Sequence, residues 1–596
     1  MALSTTNLGA LVLFSGLGAL VVPKHFPEVL HFDFLGVKIS TAGFSSTLLI
    51  TLTINSALLL FYAVVIHPAF VSPLRNIPRV KIICHQMWLS RAIYELSVNS
   101  LTPGELFLKV ANETPNNGIL ALKHITGTYL LVTKGNVLPD LLVHRSYEFT
   151  KPDGVRAFLQ NFLGSALFTC EGEHHKFLRK INLPIFSFRR VKDMYPMMWK
   201  GSLAYVDALE EEISHQSAEA ASDGGSAGRV DISRWATSST LNVMGNATFG
   251  MNLSDVKYAD DIKQVYKTLF DPTKEMLLYY LMSIWTSFDL VSMLPWDVSR
   301  IFQENSKKLR SIYLQLAQKG KRAVKSGDGG ADILSLLVKS EALSDEEIAE
   351  HLLTYLAAGQ DTTSVALTWA CFLLALHPDQ QDALRMELRR SIPSNHFPTA
   401  SSTSDESTVG DIGSIMERLP LLNGVINETL RLYPPLPVTL RTAVCDTFLG
   451  EQPIPKGTQI IISTWAINRS AEVWGDDATV FRPERWIDPV TADHEADPAH
   501  KADDEGADRK SKSKPATGKP NHTGGAKSNY DFMTFLHGPR GCIGKMFAQA
   551  ELRCLLVALV TRFRWTLDMK AEDVRPIGAI TINPSHLYLK LEVVKD

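Results

Sequence analysis

The sequence predicts one large, mainly helical domain that follows a hydrophobic N-terminal anchor. The chain has 596 residues, 45% of them hydrophobic, and no break in composition divides the remainder into further domains. An uncharged run covers Thr47–Ile66. A helical pattern of about 32 residues runs from Ser344 to Pro378, which at 1.5 Å per residue is long enough to cross a whole domain. These three observations set the fold class, and the elements follow in chain order.

Residues 1–67 are predicted to be a membrane anchor. Thr47–Ile66 reads TLLITLTINSALLLFYAVVI and would span about 30 Å as a helix, the thickness of a hydrocarbon core. The earlier apolar stretch Leu8–Val22 is shorter and can be a first span, an interfacial segment or a signal-peptide core. No Lys or Arg precedes it, which argues against a cleaved signal.

The flanking residues predict a hinge and an orientation. Pro68, Pro73 and Pro78 fall within residues 68–81, and proline both fixes φ and ends helices, so this stretch is expected to be a stiff hinge. Arg75, Arg79 and Lys81 closely follow the second apolar run, whereas the lysines before Thr47 are offset by acidic residues. This bias places the bulk of the chain on the cytoplasmic side of the membrane.

Charge and cysteine usage exclude other classes of protein. The formal net charge is −3, so no basic field suggests a nucleic-acid partner. The six cysteines are far apart and form no Cys-x-x-Cys pair, a pattern that suits a reducing compartment.

Residues 82–596 are predicted to form the catalytic domain, with one insertion at 491–529. Apart from prolines, the only apolar residues of this insertion are alanines. Such a segment cannot bury enough apolar surface to offset the entropy lost on ordering, so we expect it to be disordered.

The long helix has a clear beginning and end. Ser344-Asp-Glu-Glu347 is a capping box, and His377-Pro378 ends the pattern. Within it lies Ala358-Gly-Gln-Asp-Thr-Thr363. Glycine weakens a helix interior, so this hexapeptide is either a notch where another helix packs or a distorted turn that leaves room for a ligand.

One cysteine stands in a setting suited to chemistry, in Phe535-Leu-His-Gly-Pro-Arg-Gly-Cys-Ile-Gly544. Gly538 and Gly544 allow tight turns and close approach to a flat partner. Loop amides and the N-terminus of the following apolar helix favour a thiolate at Cys542. Phe535 can cover one side and Arg540 can neutralise an acidic group, so the loop suits a thiolate ligand to haem iron.

The decapeptide resembles the haem-binding loop F-x-x-G-x-R-x-C-x-G of the cytochrome P-450 superfamily, with all five fixed positions filled. Three more motifs occur in the family's order: the hexapeptide Ala358–Thr363, Glu428-Thr-Leu-Arg431 and Pro483-Glu-Arg-Trp486, the last with Trp for Phe. The resemblance covers roughly residues 75 to 590. It implies a mainly α fold with smaller β-sheets.

The resemblance also implies roles for individual residues. Cys542 would be the metal ligand of haem b, and Glu428, Arg431 and Arg485 a buried structural cluster. Arg441 and Arg540 would contact the haem carboxylates. In Glu171-Gly-Glu-His-His-Lys-Phe-Leu-Arg179, Arg179 matches the family's W-x-x-x-R helix, but His175 stands where Trp is usual. An imidazole can still donate to a carboxylate, and a pair of solvated surface histidines is the alternative.

By the same resemblance the enzyme would be a haem-thiolate monooxygenase in which Asp361 and Thr362 manage proton delivery. No flavin or nicotinamide module follows the cysteine loop, so electrons would come from NADPH through a separate reductase that docks near Lys545. A haem-thiolate isomerase or dehydratase is the second alternative, and the retained Asp361–Thr362 pair argues against it. A non-catalytic haem-binding protein is a third.

The resemblance places a mostly apolar substrate pocket along three segments. Its expected lining residues are Tyr355, Leu356, Ala358, Val438, Thr439, Leu440, Ile580 and Thr581. This lining suits a lipophilic substrate that enters from the membrane. The chain is most similar to microsomal enzymes of filamentous fungi, which implies the endoplasmic reticulum membrane and a secondary-metabolite intermediate (terpenoid, polyketide or alkaloid) as substrate. Fatty-acid or xenobiotic hydroxylation is the alternative.

Overall fold

The fold is taken from a computed structural model of the full chain. The structure describes most of the chain, with gaps mainly near the N-terminus, at 81–101 and at 490–517. The described residues are 13, 15–17, 19–21, 31–34, 37–40, 44–80, 102–124, 127–223, 228–250, 259–270, 273–285, 288–327, 330, 332–393, 406–489, 518–578 and 580–594.

Helices dominate the described residues. They are α1 (Phe44–Phe61), α2 (Pro103–Glu113), α3 (Asp153–Leu163), α4 (Gly172–Asn182), α5 (Phe188–Asp223), α6 (Ile232–Phe249), α7 (Ala259–Phe270), α8 (Lys274–Trp285), α9 (Phe288–Ser292), α10 (Asp297–Lys325), α11 (Ile333–Lys339), α12 (Asp345–Leu376), α13 (Pro378–Ser391), α14 (Glu406–Arg418), α15 (Pro420–Leu432), α16 (Thr464–Ile467), α17 (Ala471–Trp474) and α18 (Lys545–Arg562).

The strands are short and form small sheets. They are β1 (His31–Phe34), β2 (Val37–Ser40), β3 (Ile119–His124), β4 (Gly127–Val132), β5 (Phe149–Thr150), β6 (Arg229–Asp231), β7 (Thr439–Ala443), β8 (Thr447–Leu449), β9 (Gln452–Ile454), β10 (Gln459–Ile462), β11 (Ile487–Pro489), β12 (Gly518–Pro520), β13 (Phe563–Leu567), β14 (Pro576–Ile577), β15 (Asn583–Pro584) and β16 (Tyr588–Val593). The expected mainly α fold with smaller sheets is therefore confirmed.

The chain divides into two compact units. The smaller unit comprises Met1–Leu101, Lys109–Thr150 and Leu440–Ile462. Its main sheet has the strand order β3-β4-β10-β7-β5, in which β10 pairs parallel with β4 and the pairs β3–β4 and β5–β7 are antiparallel. The larger unit comprises Thr102–Leu108, Lys151–Thr439 and Ser463–Asp596 and contains the expected cysteine loop and long helix.

In the smaller unit, one described helix has the length and composition of a membrane span. It covers Thr47–Val71 with a mean hydropathy of 2.2, and none of its most apolar window is buried. The helix passes Pro68 as a π-helical stretch that ends at Val71, so it enters the expected hinge before Pro73 starts a short 3₁₀ turn. Much of Leu8–Val22 lies outside the described residues, but its Ser15 carbonyl accepts a hydrogen bond from Thr51 Oγ1 at 3.1 Å.

The larger unit is built around α12, which the sequence predicted well. Ser344 Oγ accepts from the Glu347 N–H at 3.2 Å, and a Glu347 carboxylate oxygen accepts from the Ser344 N–H at 2.8 Å, as a capping box requires. The 32-residue helix is α-helical without a break and ends at Leu376. Its buried side chains join those of α6, α10, α15 and α18 in one hydrophobic core.

At Gly359 the α12 backbone is closely approached by α6. A Cβ at this position would lie 2.6 Å from Met244 Sδ, and Thr240 Oγ1 donates to the Gln360 carbonyl at 3.1 Å. The glycine therefore serves as a packing notch, the first of the two interpretations that the hexapeptide allowed.

The C-terminal part of the expected disordered insertion at 491–529 is ordered, which corrects that prediction. Residues 491–517 lie outside the described part of the chain, but Gly518–Pro520 forms β12 and pairs with β11. The Asn521 N–H donates to the Trp486 carbonyl at 2.7 Å. Composition alone missed this because the segment is held by backbone pairing and by the close approach of Gly524 to the Trp486 ring, not by apolar side chains of its own.

Candidate functional site

The cysteine loop connects a short 3₁₀ turn at Gly538–Arg540 to the N-terminus of α18. The Cys542 N–H donates to the Phe535 carbonyl at 2.8 Å, which closes the loop. Leu536 has a φ of 53°, a left-handed conformation that non-glycine residues rarely adopt, and Gly538 has a φ of 73°. The loop backbone is thus held in a constrained shape immediately before the cysteine.

Cys542 is exposed and lies in surroundings that act on its thiol in opposite directions. Desolvation by the surrounding protein raises the pKa of the thiol, whereas the Gly544 N–H and the nearby cations Arg179 and Lys545 lower it. Gly544 is the N-cap residue of α18, so the sulfur also lies at the positive end of a helix. These donors and charges are the ones that stabilise a thiolate ligand.

Helix α4 holds the two residues that precede Cys542. Arg179 Nη1 donates to the Gly541 carbonyl at 2.7 Å, and the Glu171 carboxylate forms an ion pair with Arg540. His175 lies one turn after Glu171 and is buried, whereas His174 is exposed. The alternative that both histidines are solvated is therefore wrong for His175. Burial, followed by the charges of Arg540 and Lys151, lowers the pKa of His175 to about 4, so the ring is neutral at pH 7.

Glu171 and Lys151 are site residues that the sequence did not single out for a role. One Glu171 oxygen accepts from the Lys151 N–H at 2.9 Å and lies 3.4 Å from Lys151 Nζ, while the other accepts from Arg540. Burial raises the pKa of Glu171, but Lys151 and Arg540 lower it by more, so the carboxylate is charged. The sequence feature that could have indicated a role for Glu171 is its position at the start of the motif that contains His175 and Arg179.

The structure brings together Glu428 and Arg431 on α15 and Arg485 on the 3₁₀ turn Pro483–Trp486. The Glu428 oxygens accept from Arg431 Nη2 and Nε at 2.8 Å each and from Arg485 Nε at 3.1 Å. Trp486, which replaces the usual phenylalanine, donates its indole N–H to Glu428 at 2.9 Å. Glu428 and Arg431 are fully buried, and the substituted tryptophan adds a hydrogen-bond donor to the cluster.

Midway along α12, several neighbouring residues escape full burial. Ala358 is exposed, while Asp361 and Thr362 are half-buried. Thr362 Oγ1 donates to the Ala358 carbonyl at 2.7 Å. Burial raises the pKa of Asp361 to about 6, although its interaction with the Thr581 hydroxyl opposes this shift. The helix therefore offers the Thr362 hydroxyl and, beside it, the Asp361 carboxyl, which can change its protonation near neutral pH.

Two of the expected pocket residues belong to the core instead. Tyr355 is buried, packs against the Phe186 ring at 5.0 Å between centroids, and donates its hydroxyl to Asn182. Leu356 is fully buried. The reason for Leu356 is helical phase: it precedes Ala358 by two residues, which at 100° per residue is close to the opposite face.

The remaining expected pocket residues have side chains that are at least partly accessible. Val438 and Thr439 are half-buried, Ile580 is exposed, and Thr581 interacts with Asp361. Leu440 and Arg441 belong to the smaller unit, where Leu440 is half-buried and Arg441 is buried, with its Nη1 donating to the Leu440 carbonyl at 2.7 Å.

The fold and the cysteine loop together define a haem-thiolate class of site. The donor set fits a haem: a cysteine sulfur at a helix N-terminus with an amide donor, and the buried arginine Arg540 nearby for a carboxylate. Residues 118–591 match the family model described as Cytochrome P450. The chain belongs to the cytochrome P-450 family and is a monooxygenase-type oxidoreductase.

Similar proteins come from filamentous fungi. The cytochrome P-450 monooxygenase sphH of Aspergillus fumigatus is 34% identical over 88% of this chain and 89% of its own length. The cytochrome P-450 monooxygenase ptmK of Penicillium ochrochloron is 33% identical over 89% of this chain and 95% of its own.

Proposed function

We propose that this enzyme inserts one oxygen atom of O₂ into a lipophilic secondary-metabolite intermediate of the terpenoid, polyketide or alkaloid type. The observation that carries the oxygenase part is the pairing of a thiolate site at Cys542 with the acid–hydroxyl pair Asp361 and Thr362 on α12. Haem, when bound, supplies the iron at which O₂ is activated, and the Cys542 thiolate would hold that iron. Gly538, Gly544 and Phe535 would shape the surface against it, and Arg179, His175 and Arg540 would surround its carboxylates.

Asp361 and Thr362 would move protons at the substrate side. The Thr362 hydroxyl can donate and accept, and its present acceptor is the Ala358 carbonyl. A carboxyl with a pKa of about 6 can hold a proton and release it at neutral pH. The pair would therefore pass protons from solvent to the oxygen being reduced while the surrounding core excludes bulk water.

The substrate class rests on the accessible side chains and on the relatives. In the larger unit, Val438 and Ile580 are apolar, while Thr439 and Thr581 add hydroxyl groups. Such a lining suits a largely apolar molecule with a few oxygen atoms. The similarity to fungal monooxygenases supports a fungal metabolite over a fatty acid or xenobiotic.

The cellular setting is part of the proposal. The apolar helix Thr47–Val71 would anchor the enzyme in the endoplasmic reticulum membrane, with the catalytic domain in the cytosol. Electrons would come from NADPH through a separate reductase that docks near Lys545, which is exposed at the start of α18.

The central test is Thr362→Val in enzyme expressed with a reductase. We expect product formed per NADPH consumed to fall by about 10²-fold, the low end of the loss expected when positioned acid–base assistance is removed, with the missing reductant recovered as hydrogen peroxide. Thr363→Val is the matched control, because the Thr363 hydroxyl is buried and makes no hydrogen bond with the described residues.

Unchanged coupling in Thr362→Val would remove this residue from the mechanism, whereas product formed without NADPH would favour the electron-independent isomerase. The substrate is tested separately by comparing the metabolites of cells that express the wild-type enzyme and Cys542→Ala. Accumulation of oxidised fatty acids alone would contradict the secondary-metabolite assignment.

A further inference from the structure

Helix α4 contacts two consecutive residues of the cysteine loop through charged groups. Glu171, at its N-cap, pairs with the Arg540 side chain, and Arg179, two turns later, donates to the Gly541 carbonyl at 2.7 Å. Cys542 follows directly. The side chains of Glu171 and Arg540 are 7% and 5% exposed, so this ion pair is largely shielded from solvent and from salt.

Glu171 also neutralises a second cation. Its other oxygen accepts from the Lys151 N–H and lies 3.4 Å from Lys151 Nζ, whose side chain is 11% exposed. His175 contributes no charge at neutral pH, because its pKa is lowered to about 4. Glu171 is thus the carboxylate that lies between Lys151 and Arg540, and it acts on the cysteine loop through Arg540.

We propose that Glu171 is a positioning residue of the cofactor site: it fixes the Arg540 side chain of the cysteine loop, and its negative charge lowers the reduction potential of the bound haem. This inference rests on the proposed haem site at Cys542. A fixed negative charge in a shielded region stabilises the more positive, ferric state, and the effect is larger there than in water. Removing the charge while keeping the side-chain shape should therefore make the iron easier to reduce.

The test compares Glu171→Gln with Glu171→Asp in the haem-loaded full chain. The amide keeps the length of the side chain and can still accept from Lys151, but it carries no charge, whereas the aspartate keeps the charge on a shorter stem. At a fixed mediator potential we expect Glu171→Gln to shift the ferrous-to-ferric ratio three- to tenfold toward ferrous, where tenfold corresponds to 59 mV for one electron. Glu171→Asp should stay within about twofold of the wild-type ratio.

Glu173→Gln is the matched control. Glu173 lies in the first turn of the same helix, but it is exposed and pairs with Lys176 on the surface, so its removal should leave the ratio unchanged. A role in packing alone would make Glu171→Asp and Glu171→Gln behave alike. That result, or an unchanged ratio in Glu171→Gln, would overturn the proposal.

Lys151→Gln provides a measurement with the opposite sign. It removes a cation from the same cluster, so the ratio should move two- to threefold toward ferric. If Glu171→Gln does not retain haem, this variant decides alone, and an unchanged ratio or a shift toward ferrous overturns the proposal.

The proposed haem site is checked independently in the same preparations. The carbon monoxide complex of the wild type should show a thiolate-type red-shifted Soret band that Cys542→His lacks. If the wild type lacks this band, the cofactor assignment fails. If the band is present but the Glu171 and Lys151 variants do not shift the ratio, only the inference on Glu171 fails.

Discussion

Glu428 and Asp361 lie in the same unit, Glu428 fully buried and Asp361 half-buried, and the surroundings of their carboxyl groups differ completely. Glu428 accepts hydrogen bonds from two arginines, the Trp486 indole and the Arg482 N–H. Asp361 has no cation among the causes of its pKa shift, and the Thr581 hydroxyl is the group that opposes its burial. One carboxylate is surrounded by cations and donors, whereas the other keeps a proton up to a pH of about 6.

The difference separates structural from chemical carboxyl groups. A buried carboxylate paired with cations contributes to a fixed arrangement, and removing it leaves buried positive charges. A buried carboxyl group without a cation changes protonation where a proton is needed. Glu171 is of the first kind, but it lies next to the cysteine loop, so we expect its charge to act on the cofactor and not only on the fold.

The largest expected effect comes from Glu428→Gln, which breaks the structural side of the comparison. The amide leaves Arg431 buried without its counterion and Arg485 with Asp477 alone, and breaking a buried ion pair in this way typically costs about 3–5 kcal/mol. The free energy of unfolding from denaturant titration should fall by this amount. Glu484→Gln is the control, because Glu484 is exposed and lies in the same 3₁₀ turn as Arg485. It should change the free energy of unfolding by less than about 0.5 kcal/mol. Equal effects in the two variants would mean that the cluster does not stabilise the fold.

A pair of deletions tests how the Glu428 cluster is covered. Removing residues 491–517 with a short Gly/Ser linker should leave the free energy of unfolding nearly unchanged, because this sequence has no large apolar residue to bury. Removing 491–529 also removes β12 and the hydrogen bond from the Asn521 N–H to the Trp486 carbonyl. Trp486 is the residue whose indole donates to Glu428. We expect the free energy of unfolding to fall by about 1–3 kcal/mol, because the Trp486 ring and its hydrogen bond to Glu428 become exposed to water. A large loss in the shorter deletion would contradict the sequence-based interpretation.

Local patterns predicted the elements that depend on neighbouring residues. The capping box at Ser344 and Glu347 and the proline at 378 fixed the bounds of α12, because capping is decided within one turn. The cysteine motif likewise located the loop before α18. Contacts between distant segments were not accessible in this way, such as the pairing of Glu171 with Arg540 and that of Trp486 with Glu428. Leu356 was misplaced because a motif gives positions along a helix, whereas its burial depends on which face the core covers.

The smallest expected effect concerns the other side of the comparison, the carboxyl group without a cation. The pKa of Asp361 is raised from 3.8 to about 6 in the folded enzyme, so between these pH values the native state keeps a proton that the unfolded chain has lost. The free energy of unfolding should therefore fall as the pH rises from about 4 to about 6, and remain lower above it, by about 1–2 kcal/mol after allowance for the partial exposure of the residue.

The amide of Asp361→Asn does not ionise, so this variant should be more stable than the wild type by that amount at pH 7, with no difference below pH 4. Denaturant titrations at several pH values measure the gap between the two curves. Thr581→Val sharpens the test, because loss of the hydroxyl that lowers the Asp361 pKa should extend the decline to a higher pH. If wild type and Asp361→Asn gave parallel curves from pH 4 to 7, Asp361 would be an ordinary ionised carboxylate. The distinction between the surroundings of Asp361 and Glu428 would then have no consequence for proton delivery.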